Sequence, residues 1–282
     1  QLSQTKEFEF EYQMESSFSD APQFASRYYL RSYNSVLQGN EKLENGLSHN
    51  FKLSFNKFST YRGFQYYAIA NYTKQVQGVV NSVNYQGINQ SVQPILLQDP
   101  ETRWSFYGRI SKKIFEINFR GGTRFNSSKY KQLVNSNVVE NRNTSFSYNI
   151  SGKSLFDNLP IIELGFRQRF GSYSLSGRES TFITNEPFLN IDYGFWNGFL
   201  FSFDYTAYRY KNQDLNLRNN YEIANTSLFY SKENSAWSFE LEAQNLFDIK
   251  FKRRNGFSSY IISDTKTYIL PRIIMFTIGY KL

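Results

Sequence analysis

The strongest pattern along the chain has a period of two. From Phe199 to Ala207 the odd positions are Phe199, Phe201, Phe203, Tyr205 and Ala207, and Ser202, Asp204 and Thr206 fall between them. Side chains on a strand point alternately to its two faces, so this spelling predicts a strand with one apolar and one polar face. The same period recurs in about twelve segments: 8–14, 51–55, 64–72, 104–110, 115–119, 146–150, 162–169, 189–193, 199–207, 224–230, 237–243 and 274–280. The clearest is 237–243, where Trp237, Phe239, Leu241 and Ala243 alternate with Ser238, Glu240 and Glu242.

The connections also alternate. Short turns are predicted at Lys57–Gly63, Ser111–Lys113, Asn197-Gly198 and Ser231–Ala236, with a somewhat longer one at Ser151–Pro160. The remaining connections, 15–48, 74–101, 124–142, 171–187, 211–220 and 247–265, read as long polar loops. Short turns on one side and long loops on the other are the habit of a membrane barrel, with the short turns periplasmic and the long loops extracellular. Aromatic residues near the ends of the apolar stripes, such as Phe64, Tyr72, Trp104 and Trp237, suit the girdles of such a barrel. Predicted strands near ten residues match the roughly 9–11 needed to cross a bilayer with tilt. The expected fold class is therefore all-β: an antiparallel up-and-down transmembrane β-barrel, with about twelve strands in residues 1–282. With the long loops outside, the first strand starts and the last strand ends on the periplasmic side. Two other architectures share the period: a closed barrel of about twelve strands acting as a pore or enzyme, and a soluble β-rich adhesin.

Composition sharpens the picture. Aromatic residues make up 19% of 282 residues, with 28 Phe and 22 Tyr, a bias that favours pleated surfaces. There is no cysteine, which removes disulfides and thiolate metal sites. A single histidine, His49, leaves no His cluster for zinc and no Ser-His-Asp arrangement, so no catalytic residue, metal or cofactor is expected. His49 shares the parity of Phe51 and Leu53 and is expected at the rim. The net charge is +8, but Lys and Arg are spread along the chain without a run of five, so nucleic acid is not an expected partner. No stretch of 18 apolar residues occurs, so no transmembrane helix is predicted.

Two groups of residues carry candidate chemistry. Arg109, Arg120, Arg167 and Arg169 fall on the polar parity, as do Glu116 and Glu163. The guanidinium groups suit forked hydrogen bonds to an anionic ligand; ion pairing with Glu116, Glu163, Asp192 or acidic groups of a plug is the plainer alternative. Tyr28, Tyr29, Tyr33, Tyr85, Tyr130 and Tyr260 fall in predicted outer loops, where aromatic faces can stack on a ligand or simply pack the loop.

Several short motifs complete the reading. Gln244-Asn245-Leu246-Phe247-Asp248 precedes the last predicted strand, and Leu270-Pro271-Arg272 leads into Ile273–Leu282. Asn71-Tyr72-Thr73-Lys74 lies at a strand's outer end, and Gln38-Gly39-Asn40-Glu41-Lys42-Leu43-Glu44 precedes another strand. Together these resemble the C-terminal part of TonB-dependent outer-membrane transporters of the Bacteroidota style, with Glu41 and Asn45 standing where that family has prolines. The resemblance covers essentially the whole chain. It implies a barrel of roughly 22 strands, of which this chain would be the C-terminal portion, in the outer membrane of a Gram-negative bacterium. It further implies import of a nutrient of siderophore, glycan or peptide class. The implied partners are outer-membrane lipid, the N-terminal strands and plug of the same receptor, TonB acting through that plug, and a surface lipoprotein on the loops. No plug is found in these residues.

Overall fold

A computed structural model describes residues 6–59, 61–175, 178–214, 216–233, 235–257 and 262–281. It is almost entirely strand, in the order Lys6–Ser17 (β1), a single helical turn Ala21–Phe24 (α1), Tyr28–Ser32 (β2), Ser35–Gln38 (β3), Gly46–Ser59 (β4), Phe64–Gln86 (β5), Asn89–Ile114 (β6), Ile117–Val134 (β7) and Asn137–Ser154 (β8). Then follow Ile161–Leu175 (β9), Arg178–Phe195 (β10), Phe199–Asn212 (β11), Leu217–Ser231 (β12), Trp237–Gln244 (β13), Phe251–Phe257 (β14), Ile262–Tyr268 (β15) and Ile273–Tyr280 (β16). One antiparallel sheet runs β1-β4-β5-β6-β7-β8-β9-β10-β11-β12-β13-β16, up and down, with β2 and β3 attached beside β6 and β14–β15 forming a separate hairpin. Each of the predicted alternating segments lies on a strand of that path, except that Phe115 and Glu116 of segment 115–119 form the turn before β7. β1 and β16 end the order and do not pair with each other among the described residues.

Register explains why the alternation recurs. Phe10 faces Leu53, Leu53 faces Ala70, and Ala70 faces Phe106. The row continues through Phe125, Phe146 and Phe170 on β7, β8 and β9. Across the far half, Leu189 faces Tyr205, Phe201 faces Leu228, Leu228 faces Leu241 and Leu241 faces Phe276. A one-residue slip at any pair would turn that strand's stripe to the other side. The apolar residues therefore form one face across the whole path. Much of it is exposed among the described residues: Phe10, Trp104, Leu164 and Phe276 are 63%, 53%, 65% and 63% exposed, while Ala207 and Ala224 on β11 and β12 are buried. Every pair of elements in substantial contact is a hydrogen-bonded pair of strands, so no second layer packs on the sheet among the described residues.

On the strands where the alternation runs longest, 64–72 and 199–207, the apolar stripe is nine residues, or about 30 Å at roughly 3.3 Å per residue. The chain does not leave the sheet there, and this corrects the expected loops. Residues 74–101 continue β5 and β6 as a two-stranded ribbon whose ladder closes at Gln86 and Asn89, around Gly87 and Ile88. Residues 124–142 likewise close at Val134 and Asn137 around Asn135 and Ser136, both with positive φ. Residues 171–187 extend β9 and β10, and 211–220 extend β11 and β12. Residues 15–48 hold α1 and the β2–β3 hairpin, and 247–265 hold β14 and part of β15. The ribbons pack on one another: β3 runs parallel to β6, β5 touches β7 at Val83 and Val134, and Leu37, Val83 and Val92 form a small buried cluster.

The short turns sit at the opposite end of the stripe. At one of them Phe195 faces Phe199 across Trp196, Asn197 and Gly198. Gly198 has φ +100°, and a Cβ there would lie 2.3 Å from the Ser231 carbonyl oxygen, so only glycine fits. The turn expected at Ser111–Lys113 is instead at Phe115 and Glu116. Ser111, Lys112 and Lys113 stay in the ladder opposite Arg120, Phe119 and Asn118, and Phe115 takes φ +51°.

Candidate functional site

Five arginines of the polar face gather on β6 to β9, beside β10. The residues of this face follow from parity: Tyr107 and Arg109 on β6, Arg120, Gly122 and Arg124 on β7, Asn149 on β8, Glu163, Arg167 and Arg169 on β9, and Glu186 and Phe188 on β10. Arg109 faces Gly122, Gly122 faces Asn149, and Asn149 faces Arg167, which sets three of them in one row. Two adjoining recesses open on this surface. One, of about 360 Å³, is lined by Arg109, Arg120, Asn149, Glu163 and Arg167 among others; the second, about 260 Å³, is lined by Arg124, Arg167 and Arg169. Tyr107, Asn149 and Arg167 belong to both.

Small residues and rings shape the floor. β9 reads Gly165, Arg167, Arg169, Gly171 along this face. A Cβ on Gly165 would lie 2.4 Å from the Phe188 ring, and one on Gly171 would meet Phe182 at 2.3 Å. A cross-strand phenylalanine thus covers each glycine, an arrangement known to steady glycines in sheets. The Phe188 ring in turn carries the Arg167 guanidinium at 4.3 Å, and Tyr107 carries that of Arg124 at 5.5 Å. Stacking engages the face of a guanidinium and leaves its N–H edge pointing outward.

Glu186 is the buried carboxylate of this region. Its side chain is 4% exposed, and its oxygens lie 3.6 Å from Arg167 and 3.7 Å from Arg169. These are ion pairs longer than charge-assisted hydrogen bonds, which run near 2.7–2.9 Å. Arg120 reaches the Asn118 side chain, whose amide, turned oxygen-first, accepts from Nε and Nη2 at 3.2 Å. Among the described residues no carboxylate lies within 4.0 Å of Arg109, Arg120 or Arg124.

The predicted residues divide accordingly. Arg109, Arg120, Arg167, Arg169 and Glu163 converge on the recesses. Glu116 does not: it lies in the Phe115-Glu116 turn and pairs with Lys113 at 2.8 Å. Asp192 accepts from Ser202 at 2.9 Å, away from the arginines. Glu186, Arg124, Tyr107 and Asn149 were missed. Tyr107 and Asn149 already stood on the polar parity of predicted strands, and parity would have found Arg124 and Glu186 had the strands been continued into the segments read as loops. Of the tyrosines, Tyr85 and Tyr130 lie in strands, opposite Gln90 and Asn141 respectively, and not in loops. Tyr28 and Tyr29 lie on β2, and Tyr33 in the β2–β3 turn is 87% exposed. That turn is stitched to the β5–β6 tip, where Asn34 Nδ2 donates to the Ile88 carbonyl at 2.8 Å and Gln90 N–H donates to the Asn34 carbonyl at 2.8 Å. Tyr33 and Tyr85 are thereby brought to the same end. Tyr260 lies outside the described residues. His49 accepts or donates through Nδ1 to the Tyr12 hydroxyl at 2.9 Å, and no group of acidic or histidine side chains suited to a metal occurs among the described residues.

The Gln244–Asp248 motif has a structural role. Asn245 follows β13 with φ +50° and is 7% exposed. Its Nδ2 donates to the Ile249 and Leu270 carbonyls, both at 2.9 Å, and its Oδ1 accepts from Ile249 N–H at 2.9 Å. Its own N–H donates to Asn225 Oδ1 on β12 at 2.9 Å, and Asp248 Oδ1 accepts from Arg272 N–H at 3.1 Å. The motif ties the base of the β14–β15 hairpin to the main sheet.

Comparison with protein-family models, with curated proteins and with solved structures finds no match.

Proposed function

We propose that this chain is the wall of an outer-membrane β-barrel, the C-terminal barrel portion of a TonB-dependent receptor that imports a nutrient of siderophore, glycan or peptide class. One observation carries the membrane part: an apolar face follows the path from β1 to β16, with large exposed side chains on β1, β4, β6 to β9, β13 and β16. Soluble monomers rarely expose apolar patches beyond a few hundred Å². A stripe about 30 Å long, tilted by about 40°, spans about 23 Å, close to the apolar band of such barrels. On this reading hydrocarbon tails receive the apolar face, the arginine-rich face lines the lumen, and the polar ribbons stand outside the membrane.

The edges of β1 and β16, unpaired among the described residues, favour a wider barrel over a closed one of this chain's strands alone. Both edges carry large apolar side chains and free backbone groups, a ready template for further strands. The link to TonB and to a plug rests on the motif resemblance. The test is depth-resolved spin labelling of the full-length protein in bilayers. Labels at Phe201 and Phe239 are expected to be reached by oxygen and shielded from a water-soluble relaxant, while labels at Asp204 and Glu240 show the reverse. Labels at Phe201 and Phe239 open to bulk water, or buried against another sheet, would refute the assignment.

A further inference from the structure

We propose that the twin recess on β6–β10 is a binding site for a small, multiply charged anion carrying phosphate, sulfate or carboxylate groups, held by Arg109, Arg120, Arg124, Arg167 and Arg169. As the substrate class of the transport barrel this rests on the reading above; the binding chemistry can be measured apart from it.

Charge is the first argument. The two recesses gather five guanidinium groups against the carboxylates of Glu163 and Glu186. Three of the five arginines have no carboxylate within 4.0 Å among the described residues, and the Glu186 pairs are too long to occupy the N–H donors of Arg167 and Arg169. An arginine cluster whose charge is not neutralised internally repels itself, and an anion relieves that repulsion.

Preorganisation is the second. Phe188 and Tyr107 hold Arg167 and Arg124 by their faces, so the forked edges are presented without first being ordered. Gly122 makes room for Asn149: a Cβ there would lie 2.6 Å from Asn149 Oδ1, so the carboxamide lies across the strand between the arginines and adds a neutral donor. The shared lining of Tyr107, Asn149 and Arg167 joins the two recesses, so one ligand with two anionic groups can engage both. A volume of about 360 Å³ for the larger recess is at the small end of ligand sites.

The experiment is calorimetric titration of the full-length protein in detergent with inorganic pyrophosphate and, separately, citrate, at low and high salt. Binding of at least one probe is expected, weakening as salt rises. The double variant Arg109→Gln/Arg124→Gln is expected to lose about a hundredfold in affinity, at about tenfold per charged hydrogen-bonding group. Arg109→Lys/Arg124→Lys keeps the charge but not the fork and is expected to recover only part of it. Glu186→Gln removes the competing carboxylate and is expected to tighten binding. Retained heat-resistant mobility on electrophoresis shows that each variant is folded. Binding of neither probe, or equal binding by wild type and the glutamine double variant, overturns the proposal. Binding in detergent with spin labels that report water at Phe201 and Phe239 would leave the anion site standing and remove the transport reading; the opposite pair of results would do the converse.

Discussion

Replacing Asn245 with alanine isolates what the Gln244–Asp248 motif contributes. The change removes three side-chain hydrogen bonds of 2.9 Å, to Ile249 N–H and to the Ile249 and Leu270 carbonyls. At 7% exposure water does not readily replace them. A net contribution of about 1 kcal/mol each gives about 3 kcal/mol. Alanine at φ +50° adds about 1 kcal/mol, because a Cβ crowds the backbone in the left-handed region where asparagine is better tolerated. The sum, about 4 kcal/mol, acts on the base of the β14–β15 hairpin and raises its open population about a thousandfold. Trypsin cleavage at Lys250 and Lys252 reads this directly, since proteolysis follows the open population when closing is fast. Two further variants separate the causes. Asn245→Gly keeps the backbone conformation and loses only the bonds. Asn245→Asp keeps the accepted bond but turns a carboxylate oxygen toward two carbonyls, so it is expected to be worse than glycine. Cleavage of the alanine variant within threefold of wild type would refute the account, and so would full recovery by glycine, which would leave the bonds without effect.

Gly165→Val drives a branched side chain into the Phe188 ring and with it the shelf under Arg167; a loss of about 1–3 kcal/mol is expected in chemical unfolding, smaller when combined with Phe188→Ala. Tyr130, on the β7 ribbon beyond the apolar stripe, has its phenol pushed up from the ordinary range, first by burial and then by Glu101. The folded protein therefore holds that proton more tightly than the unfolded chain. Its contribution to stability is complete below the unfolded pKa and is lost as pH rises through the raised folded one. Alkaline unfolding of wild type is expected to steepen in that range relative to Tyr130→Phe.

The strands of the main path were legible because a half-buried surface of either kind leaves a period of two, and register then has one solution. Their lengths were not. In ribbons such as 74–86 and 89–101 both faces mix apolar residues with Asn, Ser and Gln, so there is no contrast between sides and nothing marks where the ladder stops. The same blindness hid Glu186, which stands in a segment read as a loop although it keeps the parity of Phe188. Ser111-Lys112-Lys113 looked like a turn because three polar residues break the stripe, whereas the real turn uses Phe115 in a conformation that its side chain does not advertise. Asn245 was visible as a motif, but its hydrogen bonds reach Asn225 and Leu270, which no local reading connects.

The up-and-down order has a mechanical consequence. Since each main strand is held by its immediate partners along the path, and no common interior binds distant strands, the sheet behaves as a line of links in which each link bears its load separately. Weakening one link, say between β12 and β13 where the shared ladder is short, would open the wall at that seam and leave the strands on either side paired instead of melting it as a whole. Force spectroscopy would register that as a staircase of separate ruptures.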